Sequence, residues 1–377
     1  MAHLENQLRK RRITIISDPL LSDHGPTRPV TLLTKALKER RVSMRIITPQ
    51  VSPSLRDELE ESNVEVVSLD FKSFLRGETA VLLETWIREV ALRSEPREMA
   101  NSDDLILNFS SALCATSHLW YVQGPVLITV TVDSIFDEMP WHYRIPYKLL
   151  RPLIKRLDFK FVNITANGSR WMYANSGYTA ALFKSLGFRI EGVIFPPVDT
   201  DRFKPTAEVP SEDYVLTYFG KETKYSTVLK IAETGVKIKA FGGKMPPFSK
   251  GTLVHPNIEF LGRIDDSQLV TLYSNALFTI FPFTNEPFGY IPVESMSCGT
   301  PTLSFNWQGP AETITNDETG WLVRSDEEFV KLTKKLWKSK YDPAMRTLCR
   351  KHAEERYDEK IFVNKFMRII QEIGQSK

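Results

Sequence analysis

The sequence predicts an α/β protein built of two doubly wound parallel sheets. Three observations carry this. Short apolar runs alternate with helix-like segments through both halves, the pattern that strands and crossover helices leave in parallel sheets. A length of 377 residues suits two domains of ordinary size. Near the midpoint, Pro196-Pro197 stiffens the chain, and a new strand pattern begins at Tyr214.

The first half opens with a strand, Arg12 to Ser17, and a polar loop, Asp18 to Arg28, holding His24, Gly25 and Pro26. A helix to about Arg40 leads to strands at Val42–Thr48, Val64–Ser68 and Leu105–Phe109, with a helix over Thr79–Arg93. Val126–Val132 reads as a strongly apolar strand. Ligands of doubly wound sheets lie beyond the carboxyl ends of the strands. His24, Gly25 and Arg28, and Asp133 after Val132, are therefore candidate cleft residues. The alternative for the first loop is a Pro-stiffened surface connection.

Trp141–Leu157, WHYRIPYKLLRPLIKRL, reads as a basic amphipathic helix. Arg144, Lys148, Arg151 and Lys155 share one helical face, beside an apolar stripe of Tyr147, Leu150, Ile154 and Leu157. With Trp141 and Tyr143 as anchors, the segment suits an anionic membrane surface or a lipid phosphate. It equally suits a domain helix packed by its leucines with a solvated basic face. Asn-centred turns at Asn167-Gly168-Ser169 and Asn175-Ser176-Gly177 bracket short strand structure. A helix over Tyr178–Leu186 and a last strand at Val193–Phe195 close this half.

The second half reads as strands Tyr214–Phe219, Val236–Phe241, Ile258–Leu261 and Leu277–Phe283, with a helix over Leu269–Asn275. Lys221 and Lys224 follow the first of these, Gly242-Gly243 the second, and Gly262-Arg263-Ile264 the third. After Val323, helices run over about Glu327–Lys338, Pro343–Arg356 and Glu359–Ile373.

The densest signal is Asn285–Pro301, NEPFGYIPVESMSCGTP. It reads as the loop and helix that follow a buried strand. Pro292 suits the first helical turn, and Gly299 and Pro301 mark its stop. The amides of Phe288, Gly289, Tyr290 and Ile291 lie at the helix start, where N–H groups lack intrahelical partners and the dipole favours an anion. Glu286 in the loop and Glu294 in the helix suit hydroxyls on either side of a bound phosphate. Together they describe a sugar nucleotide. The plainer alternative is a capped helix with Glu286 solvated.

This stretch resembles the E-x7-E signature of retaining GT-B glycosyltransferases of family 4. The resemblance extends through Phe195–Phe203, Phe260-Leu261-Gly262-Arg263, Gly309-Pro310, Glu312 and Thr319–Val323. It implies two facing Rossmann-like domains, 1–202 for the acceptor and 203–357 for the nucleotide sugar. The last helix, within 358–377, would cross back to the first domain. It implies a hexosyl transfer with retention, the donor against the second domain and the acceptor against the first. Lys221 and Lys224 would neutralise the leaving diphosphate, Glu294 would hold the ribose, and Glu286 would meet the donor sugar. The backbone near Gly243 and Gly262-Arg263-Ile264 would meet the base. The chain departs from the family in three places. The first loop has one glycine. Lys221 replaces an Arg, and Lys224 comes early. Val132, followed by Asp133, stands where relatives carry a His, leaving Asp133 and His142 as candidate substitutes.

Composition bounds the rest. A net charge of +3 makes no case for nucleic acid. Three distant cysteines give no disulfide framework or metal spacing and suit a reducing compartment. No signal sequence or membrane span is legible, so a cytoplasmic, soluble or peripheral protein is expected. Asp199-Thr200-Asp201 follows a double proline rather than an apolar strand, so it is not read as a metal motif. No metal or cofactor is expected beyond the sugar nucleotide, and the acceptor is a glycan, a lipid-linked glycan or a glycolipid. The rival classes are a non-catalytic sugar or nucleotide binder and another GT-B enzyme such as a sugar-nucleotide epimerase.

Overall fold

The computed structural model describes residues 11–21, 25–69, 71, 78–101, 103–124, 126–139, 141–206, 210, 213–220, 222–243 and 255–375. The chain forms two compact units. One comprises Met1–Thr129, Leu150–Pro197 and Lys360–Lys377; the other comprises Val130–Leu149 and Val198–Glu359.

Among the described residues, the first unit holds a seven-stranded sheet. Its strands are β1 (Ile13–Ile16), β2 (Met44–Thr48), β3 (Glu65–Ser68), β4 (Leu105–Asn108), β5 (Ser117–Val122), β6 (Ser169–Ala174) and β7 (Gly192–Val193). The order is β3-β2-β1-β4-β5-β6-β7, with every pairing parallel. The connecting helices are α1 (Arg28–Glu39), α2 (Pro53–Glu61), α3 (Glu78–Leu92), α4 (Ile128–Ser134), α5 (Trp141–Asn167) and α6 (Gly177–Ser185), of which most of α4 and the first third of α5, within Val130–Leu149, count with the second unit. Starts are marked by caps: Ser52 Oγ accepts from Leu55 N, and Ser176 Oγ from Thr179 N.

Val126–Val132 is not a strand. Its residues enter α4, and the strand is the earlier β5, Ser117–Val122. The β-branched run ITVTV suits a strand by propensity. A carboxylate thirty residues away overrides it: Asp158, buried in α5, accepts from Ile128 N at 2.9 Å and Thr129 N at 2.8 Å, the first amides of α4. Such a contact stabilises a helix start. Asp133 consequently lies on the last turn of a helix rather than beyond a strand. The residue that follows β5 is Gln123, whose amide donates to Phe109 O at 3.1 Å.

The second unit holds a six-stranded parallel sheet among the described residues, ordered β10-β9-β8-β11-β12-β13. These are β8 (Val215–Tyr218), β9 (Ile238–Phe241), β10 (Ile258–Gly262), β11 (Thr279–Phe281), β12 (Thr302–Phe305) and β13 (Gly320–Val323). Helices α7 (Tyr225–Glu233), α8 (Asp266–Asn275), α9 (Tyr290–Ser297), α10 (Pro310–Thr313), α11 (Asp326–Ser339) and α12 (Ala344–Tyr357) complete it. Asp265 and Gln268 close a capping box on α8. Residues from Val198 onward are tied to this unit rather than the first. Val198 N donates to Tyr357 O at 2.8 Å, and Arg350 donates to the carbonyls of Thr200 and Phe203.

The last helix, α13 (Glu359–Gln375), packs into the core of the first unit. Phe362, Phe366, Ile370 and Ile373 lie among Ile13, Leu107, Leu119 and Tyr121, and Phe366 stacks on Phe109 with centroids 5.4 Å apart. The apolar stripe of the terminal segment thus covers β1, β4 and β5.

Candidate functional site

Both sheets reverse winding direction once. In the second unit the reversal falls between β8 and β11, so the loops leaving those strands flank the switch point, where doubly wound sheets bind ligands. Two backbone hydrogen bonds lace these loops together: Lys224 N to Pro282 O at 2.8 Å, and Thr284 N to Glu222 O at 3.2 Å.

The loop after β11 is shaped around Glu286. Its N–H donates to Gln308 Oε1 at 2.7 Å, and its carbonyl accepts from Gly309 N at 2.9 Å. Its carboxylate turns back on its own chain: Oε1 accepts from Phe288 N at 3.2 Å and Gly289 N at 2.9 Å. Two of the four amides expected to face an anion therefore hold this carboxylate. Tyr290 and Ile291 occupy the first turn of α9, where an α-helix has no intrahelical acceptor. Gly289 sits at φ +99°, a left-handed conformation that L side chains rarely adopt. Gly309 is needed for close approach, because a Cβ there would lie 2.4 Å from Phe288 backbone atoms.

Glu294, one turn into α9, is buried at 3% exposure, and its Oε2 accepts from the Tyr273 hydroxyl at 3.3 Å. Phe288 is equally enclosed, edge-on to Tyr290 and Tyr357. Asn285 is 7% exposed. Its Nδ2 donates to Thr131 Oγ1 at 3.3 Å, and its Oδ1 is buried with no hydrogen-bond partner among the described residues.

Across the switch point, Lys224 ends the loop that leads into α7. Its Nζ lies 2.6 Å from Asp326 Oδ1, at the start of α11, and 5.1 Å from the Phe305 ring centroid. Gly243 and Arg263 are adjacent, since a Cβ on Gly243 would lie 2.7 Å from Arg263 Nε. The chain turns at Gly262 with φ +71°, and Gly242 N donates to Gly262 O at 2.8 Å. Ile264 follows, half-buried.

Tyr218, at the end of β8, connects these parts. Its ring packs against Phe241 and Phe283. Burial raises its hydroxyl pKa above the ordinary tyrosine value. The carboxylates of Glu222, Glu286 and Glu294 push the same way, and Arg263 opposes them. Both motif carboxylates and Arg263 thus contribute to the field at this hydroxyl.

Gly25, at φ +58°, opens a short 3-10 turn ahead of α1, whose first residue is Arg28. Asp133 is exposed and accepts from the Tyr147 hydroxyl at 2.7 Å. His142 is exposed and packs edge-on to Trp141. Arg144 turns back to donate to the carbonyls of Asp137 and Met139, whereas Lys148, Arg151 and Lys155 are exposed. His24 and Lys221 lie outside the described residues. Sequence reasoning missed Tyr218, Asn285 and Gln308. The last two sit beside the motif or one strand beyond it, and only the fold reveals that they bracket Glu286. In the first unit it missed Asp18, whose Oδ1 accepts from Ser110 Oγ at 2.6 Å and Ser111 N at 2.8 Å.

Residues 248–356 match the family described as glycosyl transferases group 1. Over 239 residues the chain is 25% identical to the alpha-1,3/1,6-mannosyltransferase ALG2 of Rhizomucor pusillus, covering 48% of this chain and 51% of that protein. The chain thus spans about half, or less, of the curated relatives it matches. The chain resembles in fold the sucrose-phosphate synthase of Thermosynechococcus elongatus, with a TM-score of 0.72 at 17% identity, over 97% of this chain and 100% of that one. It also resembles Anabaena HepE in complex with UDP and glucose, with a TM-score of 0.64 at 14% identity, over 95% and 98% of the two chains. The fold is GT-B, with two Rossmann-like parallel-sheet domains.

Proposed function

We propose that this protein is a retaining glycosyltransferase that moves a hexosyl group from a nucleoside-diphosphate sugar to a glycan or lipid-linked acceptor. The observation that carries the reading is a pair of carboxylates at the β8/β11 switch point: Glu286, held on the Phe288 and Gly289 amides at the head of α9, and Glu294, buried within α9, in residues that match the group 1 family. Glu294, buried and anchored by Tyr273, holds the ribose hydroxyls. Base contacts fall to the backbone at Gly243 and Gly262-Arg263-Ile264.

The diphosphate lies toward the Tyr290 and Ile291 amides at the head of α9. Charge building on the leaving group is met there by the helix dipole and by Lys224. Fixed charges of this kind stabilise the transition state without reorganising during the reaction. Glu286 faces the sugar. Its Oε1 is held by two amides, which fixes the carboxylate as an acceptor for a sugar hydroxyl and as a negative charge beside the cationic anomeric centre. Asn285 Oδ1 supplies a further acceptor for a hydroxyl. None of these roles requires a divalent cation, so the reaction is expected to proceed without one.

The test is a donor panel. UDP-, GDP- and ADP-hexoses, with mannosyl and glucosyl forms included, are incubated with the protein in EDTA, with and without a membrane lipid extract. Release of one nucleoside diphosphate, with label passing to an acceptor and the anomeric configuration kept, is the expected result. Nucleotide binding with no release from any donor would overturn the assignment in favour of a binding protein.

A further inference from the structure

The first half of α5 carries two stripes, of which only the inner one is used by the fold. Tyr147, Asp158, Phe161 and Val162 are buried, and Ile154 and Leu157 are half-buried. On the outer side Trp141, Ile145, Leu149 and Leu153, each four residues from the next, are exposed by 73%, 55%, 76% and 54%. Four large apolar side chains in register are an unusual surface for a helix facing water alone. Lys148, Arg151, Lys155 and Arg156 are exposed beside them, and no Asp or Glu occurs from Trp141 to Leu157. Among the described residues, no helix is long and apolar enough to cross a membrane.

We propose that the outer face of α5 docks on an anionic lipid bilayer. Trp141, Ile145, Leu149 and Leu153 enter the interface, and Lys148, Arg151, Lys155 and Arg156 meet the headgroups. A helix with an apolar stripe, a cationic flank and no acidic residue lies in the plane of a membrane, its lysine and arginine stems reaching the phosphates. Charge decides among occupants. A second copy seated on this stripe would bring its own cations against these, like against like. A bilayer bearing anionic lipid neutralises them. The surface deepens the reading of a lipid-linked acceptor, but its evidence is separate from the donor site.

Vesicle co-sedimentation without nucleotide sugar tests it. The intact protein should bind phosphatidylglycerol vesicles and bind phosphatidylcholine vesicles at least tenfold more weakly. The double variant Leu149→Glu, Leu153→Glu should lose at least tenfold in phosphatidylglycerol binding while keeping the native thermal unfolding curve, because both side chains are exposed. Trp141→Phe should remove a blue shift of tryptophan emission that vesicles induce in the native protein. Three results would overturn the proposal: no binding to anionic vesicles, binding that the leucine variant leaves unchanged, or a native dimer that the same variant makes monomeric. Because no donor is present, failure here leaves the transferase reading intact, and failure of transfer leaves this surface intact.

Discussion

The two sheets wind alike. Strand order runs β3-β2-β1-β4-β5-β6-β7 in one and β10-β9-β8-β11-β12-β13 in the other, so the first has one more edge strand, with the reversal at β1/β4 and at β8/β11. Their switch points differ in chemistry. At β8/β11 a left-handed glycine and two carboxylates mark a helix start: Glu286 is held on its amides and Glu294 is buried within it. At β1/β4 the buried Asp18 carboxylate is spent on Ser110 Oγ and Ser111 N, which clamps the two loops to each other. Topology supplies a place for a ligand twice, and local residues decide which place is equipped for a nucleotide. Among the described residues, Asp18 braces the first, while the second keeps the Asn285 Oδ1 acceptor and the start of α9, which the proposed function gives to the substrate.

Four substitutions sharpen or break this contrast. The largest effect is expected from Glu286→Gln, which keeps one acceptor for the Phe288 and Gly289 amides but removes the charge. Transfer should fall about 100-fold or more, the scale seen when one preorganised transition-state contact is lost. Thermal unfolding and nucleotide affinity should change little. Undiminished transfer would remove Glu286 from the chemistry.

Gly309→Ala forces a methyl against the Phe288 backbone and should cost about 1–3 kcal/mol of stability, the usual price of overpacking. Denaturant unfolding reads this, and donor affinity should fall in the same variant because the Glu286 loop must shift. An unchanged unfolding midpoint would mean that this loop yields readily.

Lys224→Met should lower turnover about tenfold, ~1.4 kcal/mol of transition-state stabilisation. The cost to folding should be small, because a partly exposed ion pair contributes only about 0–1 kcal/mol. Asp326, at the first turn of α11, keeps the helix dipole as a partner. A large loss of stability with normal turnover would make Lys224 a structural residue.

Asp18→Asn should have the smallest effect, about 1 kcal/mol for weakening a buried charged acceptor. It should not alter nucleotide affinity by isothermal titration. If it weakened nucleotide binding more than Lys224→Met did, the contrast drawn from the two switch points would be reversed.

In the second unit β8 to β11 and the helix of the Glu286–Glu294 stretch were legible in the sequence because their signals are local, whereas β12, β13 and α7 were not read. The apolar strands, the Glu286–Glu294 spacing and Pro292 all act within a few residues of the element they specify. The long Trp141 helix and the terminal stripe of Phe362, Phe366 and Ile370 were legible for the same reason. Where a distant partner decides, the reading failed. The run ITVTV at 128–132 has strand propensity and becomes a helix only because Asp158 meets its first amides. The Asp18 clamp joins residues 92 positions apart. The turn of Glu286 onto its own amides also escaped, because glutamate in a loop has many equally local alternatives. The outer stripe of α5 was hidden in a segment apolar on two sides, where sequence alone does not say which side faces inward.

Amide hydrogen exchange reads most directly whether the nucleotide sits at β8/β11. The protein is compared with and without a saturating nucleoside diphosphate. Slowed exchange in Gly220–Lys224 and Phe288–Ile291, with Phe109–Ser111 unchanged, is the expected result. Protection confined to the loops after β1 and β4, with none around Glu286, would contradict that placement.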